Sequence, residues 1–185
     1  DSSRVAALLT EQAETGFPST DYDRVLVARL WRRAGETELA AASLADILPA
    51  SDAFDLAVYE AARVWLTAGR EAAGVRAYGS ACASTDDRVR AEIFWDLLPE
   101  TIPEEREAWK SLRAGEPTCE WLRGFWEERA RRMVIPADRR IAIHFQRLAK
   151  ARRDYHLAKP RSGGDMASDH GRPAGLAVDD RGLLY

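Results

Sequence analysis

His144, His156 and His170 are the three histidines of the chain, so any metal or proton-transfer chemistry centred on imidazole must draw on them. His144 and His156 fall on one expected helix, about 18 Å apart at 1.5 Å of rise per residue, too far to share an ion. His170 stands with Asp165 and Asp169 in a stretch without periodicity, which reads as a solvated connector. Glu104-Glu105 with Glu107, and Glu127-Glu128, offer carboxylates for acid and base work. General acid catalysis, however, needs one carboxyl in an apolar pocket with its pKa displaced, and adjacent residues on an open helix point in different directions. Helix-end and ion-pair roles account for them better. Cys82 and Cys119 lack metal spacing and lie in helical contexts. Their expected role is that of small buried hydrophobes, with a disulfide the lesser alternative. No Gly-x-Ser-x-Gly, Cys-His pairing or phosphate-cradling loop occurs, so the expectation is a non-enzyme with no catalytic, cofactor or metal site.

Arginine is the other chemistry-bearing residue. Arg129, Arg131, Arg132, Arg139, Arg140, Arg147, Lys150, Arg152, Arg153, Lys159 and Arg161 form a basic stripe suited to carboxylate or phosphate contact. Trp121 and Trp126, five residues apart, diverge around their helix, and one of them is a candidate exposed anchor for a partner. The candidate partner-binding set is therefore Trp121, Trp126, Arg131, Arg132, Arg139, Arg140, Arg147, Arg152 and Arg153.

The elements that must position these groups are announced by an internal echo. Trp31-Arg32-Arg33-Ala34-Gly35 recurs 34 residues later as Trp65-Leu66-Thr67-Ala68-Gly69. Val27, Leu30, Trp31 and Ala34 follow helical spacing, and Ala61, Val64, Trp65 and Ala68 repeat it. Gly35 and Gly69 sit where a left-handed residue ends a helix, each followed by a second helix, about 36–48 and 70–84. Trp31 and Trp65 are expected to face the stack as core. Ala28, Ala62 and Gly74 mark points of close helix approach. Residues 86–98 open a third, less regular copy. Ahead of the array, a short helix over 3–14 is expected to cap it, with Thr20 or Ser19 capping the next helix.

Beyond 98, Pro103-Glu104-Glu105-Arg106 is a helix opening and Gly115-Glu116-Pro117 is expected to end that helix. Thr118 then caps another over 119–133, and a basic helix follows from Pro136 to about 157. Residues 161–173 read as a mobile loop, and Leu183-Leu184-Tyr185 as the start of a strand.

At 46% hydrophobic and 31% charged, the 185-residue chain has the balance of a folded protein rather than a disordered one. No stretch is long and apolar enough to span a bilayer. The net charge of -3 conceals a division: residues 1–119 carry 13 Lys+Arg against 21 Asp+Glu, whereas residues 120–161 carry 12 against 5. Such a basic segment suits an acidic protein face, including the chain's own first 119 residues, better than nucleic acid, whose long-range attraction the acidic body would offset.

Two resemblances follow from these residues. The repeated hairpins resemble degenerate tetratricopeptide repeats. Pro103-Glu104-Glu105-Arg106, Phe125-Trp126-Glu127-Glu128-Arg129 and Asp180-Arg181-Gly182-Leu183-Leu184-Tyr185 resemble the opening of a GWxTD domain, a bacterial family of unsettled function. Gly175-Leu176-Ala177-Val178-Asp179-Asp180 lacks that family's name-giving tryptophan, so no site role carries over. The GWxTD resemblance implies an extracytoplasmic or envelope-associated location.

The expectation is thus an all-α chain with three parts: a tetratricopeptide-like hairpin array over 1–98, a basic helical segment over 99–160, and an irregular tail over 161–185. Its expected role is a non-catalytic protein–protein interaction scaffold or accessory subunit of a larger bacterial assembly. The alternatives are a polyanion-binding module (nucleic acid or anionic lipid, with peripheral membrane association) using Arg129 to Arg161, and a non-catalytic arm of an enzyme continuing beyond Tyr185.

Overall fold

The computed structural model describes residues 11 and 20–154. Among them the order is α1 (Asp21–Ala34), α2 (Thr37–Ala45), α3 (Phe54–Thr67), α4 (Glu71–Cys82), α5 (Asp87–Leu97), a 3-10 turn (Leu98–Glu100), α6 (Pro103–Ser111), α7 (Glu116–Met133) and α8 (Ala137–Asp154). The fold is all-helical, with no strand among the described residues. The expected helix over 3–14, the loop over 161–173 and the strand at 183–185 lie outside the described residues.

Local chemistry sets the first hairpin. The Thr20 hydroxyl accepts from the Asp23 amide at 3.2 Å while the Asp23 carboxylate accepts from the Thr20 amide at 2.8 Å, a reciprocal cap that satisfies two otherwise orphaned donors. Gly35, at φ +89°, ends α1, and its equivalent Gly69, at φ +78°, ends α3. In each case the residue after the glycine donates back to the carbonyl of the duplicated tryptophan, Glu36 to Trp31 at 3.0 Å and Arg70 to Trp65 at 2.8 Å. The echo in the sequence is therefore a duplicated helix-ending motif.

Close packing explains one departure between copies. Ala40 on α2 is fully buried, and Gly74 occupies the same place on α4. A methyl group at 74 would come within 2.6 Å of Leu66 Cγ and 2.9 Å of the Leu66 backbone nitrogen. The second hairpin approaches too closely for even alanine. Ala28 and Ala62 are both fully buried on the first helices of the two hairpins, which pack on each other. Trp31 and Trp65, each three residues further on, are only half-buried, contrary to the expectation that they face the stack as core. Trp65 is covered instead by the Arg70 guanidinium, 4.9 Å from the ring centroid.

The second half does not hang from the array. One hydrophobic cluster runs from Val25 and Leu56 through Tyr78 and Ile93 to Trp126, Ile141 and Phe145. Helix α8 packs on both α3 and α4, and α7 packs on α4. Aromatic rings make a continuous line through this core, Tyr59–Tyr78–Phe145–His144–Trp126–Phe125–Trp121–Trp109–Phe94, with successive centroids 5.0 to 6.2 Å apart.

Two local expectations are corrected. Gly115-Glu116-Pro117 starts a helix rather than ending one: Gly115, at φ +94°, is the N-cap of α7, and Pro117 lies in its first turn, where a missing N–H costs nothing. Thr118 accordingly does not cap, its hydroxyl donating to the Arg113 carbonyl at 2.8 Å. Cys82 and Cys119, expected as free buried thiols, are disulfide-bonded across a Cα–Cα distance of 5.1 Å, joining the end of α4 to the first turn of α7. Gly115 turns the chain into α7 beside Thr85, whose methyl a Cβ at position 115 would meet at 3.6 Å.

Candidate functional site: an ionic seam across the helices

The densest chemistry in the molecule is a set of charges sealed between α1, α3, α5 and α8. Tyr59, Glu60 and Arg63 lie within one turn of α3, which turns them toward the neighbouring first helices of each hairpin. Glu60 has 0% exposure. Its carboxylate accepts from Arg32 Nε of α1 at 2.5 Å, from Arg29 Nε at 3.3 Å, and from Arg63 Nη1 at 3.1 Å. Burial pushes the carboxyl up, but Arg32, Arg63 and Arg29 together override that and hold it at about 2.

Asp96 on α5, 1% exposed, repeats the arrangement. It accepts from Arg63 Nε at 2.6 Å, from the Tyr59 hydroxyl at 2.8 Å, and from Arg152 Nη2 of α8 at 2.8 Å. Burial opposes its ionisation and the two guanidinium groups prevail, so it sits well below the usual carboxylate range. Burial, then the Asp96 charge, pushes the Tyr59 hydroxyl well up, keeping it a donor. Glu92 closes the rim, 2.9 Å from Arg63 Nη2 and 3.1 Å from Arg29 Nη1. Arg63 thereby bridges three carboxylates, and each fully buried carboxylate has three partners.

A second node continues the seam. Glu100 of the 3-10 turn accepts from Arg140 Nη2 at 2.7 Å, and its other oxygen lies 3.4 Å from His144 Nδ1. His144 Nε2 is 2.8 Å from the Asp96 carbonyl, an acceptor only, so that nitrogen carries hydrogen. Burial raises the Glu100 carboxyl, and its bonds to His144 and Arg140 bring it down to about 2. Arg129 of α7 reaches the same turn, donating to the Glu100 carbonyl at 2.6 Å and to both Glu105 oxygens at 3.0 and 2.7 Å, with its guanidinium 3.4 Å from the Phe125 ring centroid. Glu105 also accepts from the Ile102 amide at 3.0 Å, the helix-end and ion-pair role expected of it.

The arginines singled out in the sequence divide between two fates. Arg140 and Arg152 turn inward, to Glu100 and Asp96. Arg139 pairs with Glu71 of α4 at 2.9 Å. Arg131 and Arg132 share Glu128 on their own exposed face, Arg153 lies 3.6 Å from Asp154, and Arg147 is exposed. The stripe is therefore no single surface, because helical rotation sends its members to different sides and the chain's own carboxylates take most of them. Trp126 is 2% exposed and donates its indole N–H to the Tyr78 hydroxyl at 3.2 Å, so it is core and not an exposed anchor. Trp121 is half-buried, stacked on Phe125 at 5.0 Å and edge-on to Trp109 at 5.1 Å. Both indoles are drawn inward by the aromatic line of α7. His144 is buried in the seam, while His156 and His170 lie outside the described residues.

Sequence reasoning missed Arg29, Tyr59, Glu60, Arg63, Glu92 and Asp96. A signal for two of them was present: Ala28-Arg29-Leu30-Trp31 recurs as Ala62-Arg63-Val64-Trp65, and the duplicated arginines are the ones that build the seam. Chemically the arrangement holds helices in register. Its buried carboxylates are fixed in the ionised state and its tyrosine in the protonated state, so neither exchanges protons near neutrality.

No family model, curated protein or solved structure matches this chain. Among the described residues no helix is long and apolar enough to cross a membrane.

Proposed function

We propose that the protein is a non-catalytic interaction scaffold, an accessory subunit that holds other proteins in a larger bacterial assembly. The observation that carries this is the duplicated hairpin closure at Gly35 and Gly69, which sets equivalent helices side by side. The first hairpin and the turn after it expose Leu26, Leu39 and Leu48, Leu48 at 68% exposure, where a partner gains apolar area by covering them. The ionic seam ties α1, α3, α5 and α8 together, which suits a rigid support.

Two further observations favour an extracytoplasmic, envelope-associated setting. The Cys82–Cys119 disulfide persists where the medium is oxidising. The stretches that resemble a GWxTD opening also meet in space, Arg129 of the second bonding Glu105 of the first. The polyanion alternative loses its main support, because Arg129, Arg140 and Arg152 are engaged within the chain.

The test is site-specific photo-crosslinking in the native extract, with the reactive side chain at exposed Leu39 on the first hairpin or at exposed Glu120 on α7. A discrete adduct from position 39 and none from position 120 supports the scaffold. Adducts from position 120 alone, or with nucleic acid, reject it.

A further inference from the structure

The seam is not electrically neutral. Arg29, Arg32, Arg63 and Arg152 are bonded to only three carboxylates, Glu60, Glu92 and Asp96. A fifth guanidinium, Arg33, stands one helical turn beyond Arg29 on the same side of α1, exposed, and no carboxylate bonds it among the described residues. Among the described residues, five arginines against three acids leave a surplus of two positive charges at this corner of the seam. Burial first, then the Arg32 and Arg152 charges, lowers the Arg33 pKa. The end of α1 favours positive charge through its helix dipole, which accounts for tolerating Arg33 there but not for leaving it without a counter-ion.

We propose that this corner, framed by Arg29, Arg32 and Arg33 of α1 and Arg152 of α8, captures carboxylates of an acidic stretch in a partner polypeptide. The inference rests on the scaffold reading and deepens it by naming the partner's chemistry. Arginine forks match carboxylates two bonds at a time, and a guanidinium already held by one carboxylate is oriented for the next. The size of the surplus favours a peptide over nucleic acid. A phosphate backbone needs a long row of unpaired cations, whereas here two charges are spare.

The experiment is fluorescence anisotropy with labelled hexaglutamate and, as control, labelled hexaglutamine, on the full chain with its disulfide intact. The expected result is at least ten-fold tighter binding of hexaglutamate. Arg33→Glu lowers that affinity at least ten-fold without lowering the melting temperature, since Arg33 makes no bond among the described residues and stands among like charges. Arg131→Glu, on exposed α7 beside Glu128, changes it less than two-fold. Equal binding of the two peptides, undiminished binding by Arg33→Glu, or an equal loss in Arg131→Glu would each overturn the proposal. A chain that yields the position-39 adduct yet ignores hexaglutamate keeps the scaffold and rejects the acidic partner.

Discussion

Glu60→Gln isolates the seam with a change of one atom type and almost no volume. In the native chain the Glu60 carboxylate neutralises part of the charge on Arg32, Arg29 and Arg63 at 2.5, 3.3 and 3.1 Å, fully out of water. The amide removes that charge and turns two donors toward guanidinium groups that are themselves donors only. Breaking a buried ion pair by neutralising one partner costs about 3–5 kcal/mol, because the other charges stay buried without compensation. At about 2–4 °C per kcal/mol for a chain of this size, the melting temperature should fall by roughly 6–20 °C. Urea and thermal unfolding followed by circular dichroism read it directly. Pairing Glu60→Gln with Arg32→Gln should recover about 1–3 kcal/mol of the summed losses, as neighbours in one network are not additive. A loss below about 1 kcal/mol, or strict additivity of the pair, would refute the claim that these charges are sealed and mutually dependent.

Acid should do gradually what that substitution does at once. The folded-state pKa values of Glu60 and Glu100 are depressed to about 2 from 4.5, so their contribution, on the order of 3 kcal/mol each, is fully present above about pH 5 and is lost as pH falls toward 2; a stability plateau continuing down to pH 3 would contradict this. Replacing both Cys82 and Cys119 with alanine opens a link spanning 37 residues and should lower stability by about 3–4 kcal/mol, read by urea unfolding. Gly74→Ala should cost about 1–3 kcal/mol, since Leu66 and its backbone block the added methyl, and a neutral or stabilising result would show that α3 and α4 separate easily.

The helical plan was legible because its punctuation is local. Thr20 with Asp23, the glycines at 35 and 69, and the prolines at 103 and 136 act within a turn of themselves, so residue type and spacing suffice. Gly115-Glu116-Pro117 was ambiguous for the same reason, as glycine followed by proline ends one helix or begins another, and the helix that begins there carries Cys119, bonded to the distant Cys82. The seam was not legible in composition. An arginine or glutamate on an amphipathic helix is ordinarily solvated, and Glu60 is buried only because α1 brings Arg29 and Arg32 onto it from 28 to 31 residues away. The basic stripe shows the converse: a linear run of arginines looked like one surface, and the rotation of α7 and α8 divided it between Glu100, Asp96, Glu71 and Glu128. Trp126 was similarly misjudged because its hydrogen-bond partner, Tyr78, is 48 residues away.

That α8 completes the array is tested most directly by native-state hydrogen exchange, native chain against Arg152→Gln. The seam predicts that amides of α8 and α3 share one slow opening in the native chain, and that loss of the Arg152–Asp96 bond speeds exchange in both helices together. Fast exchange of α8 in the native chain while α3 stays protected, or a response to Arg152→Gln confined to the end of α8, would contradict it.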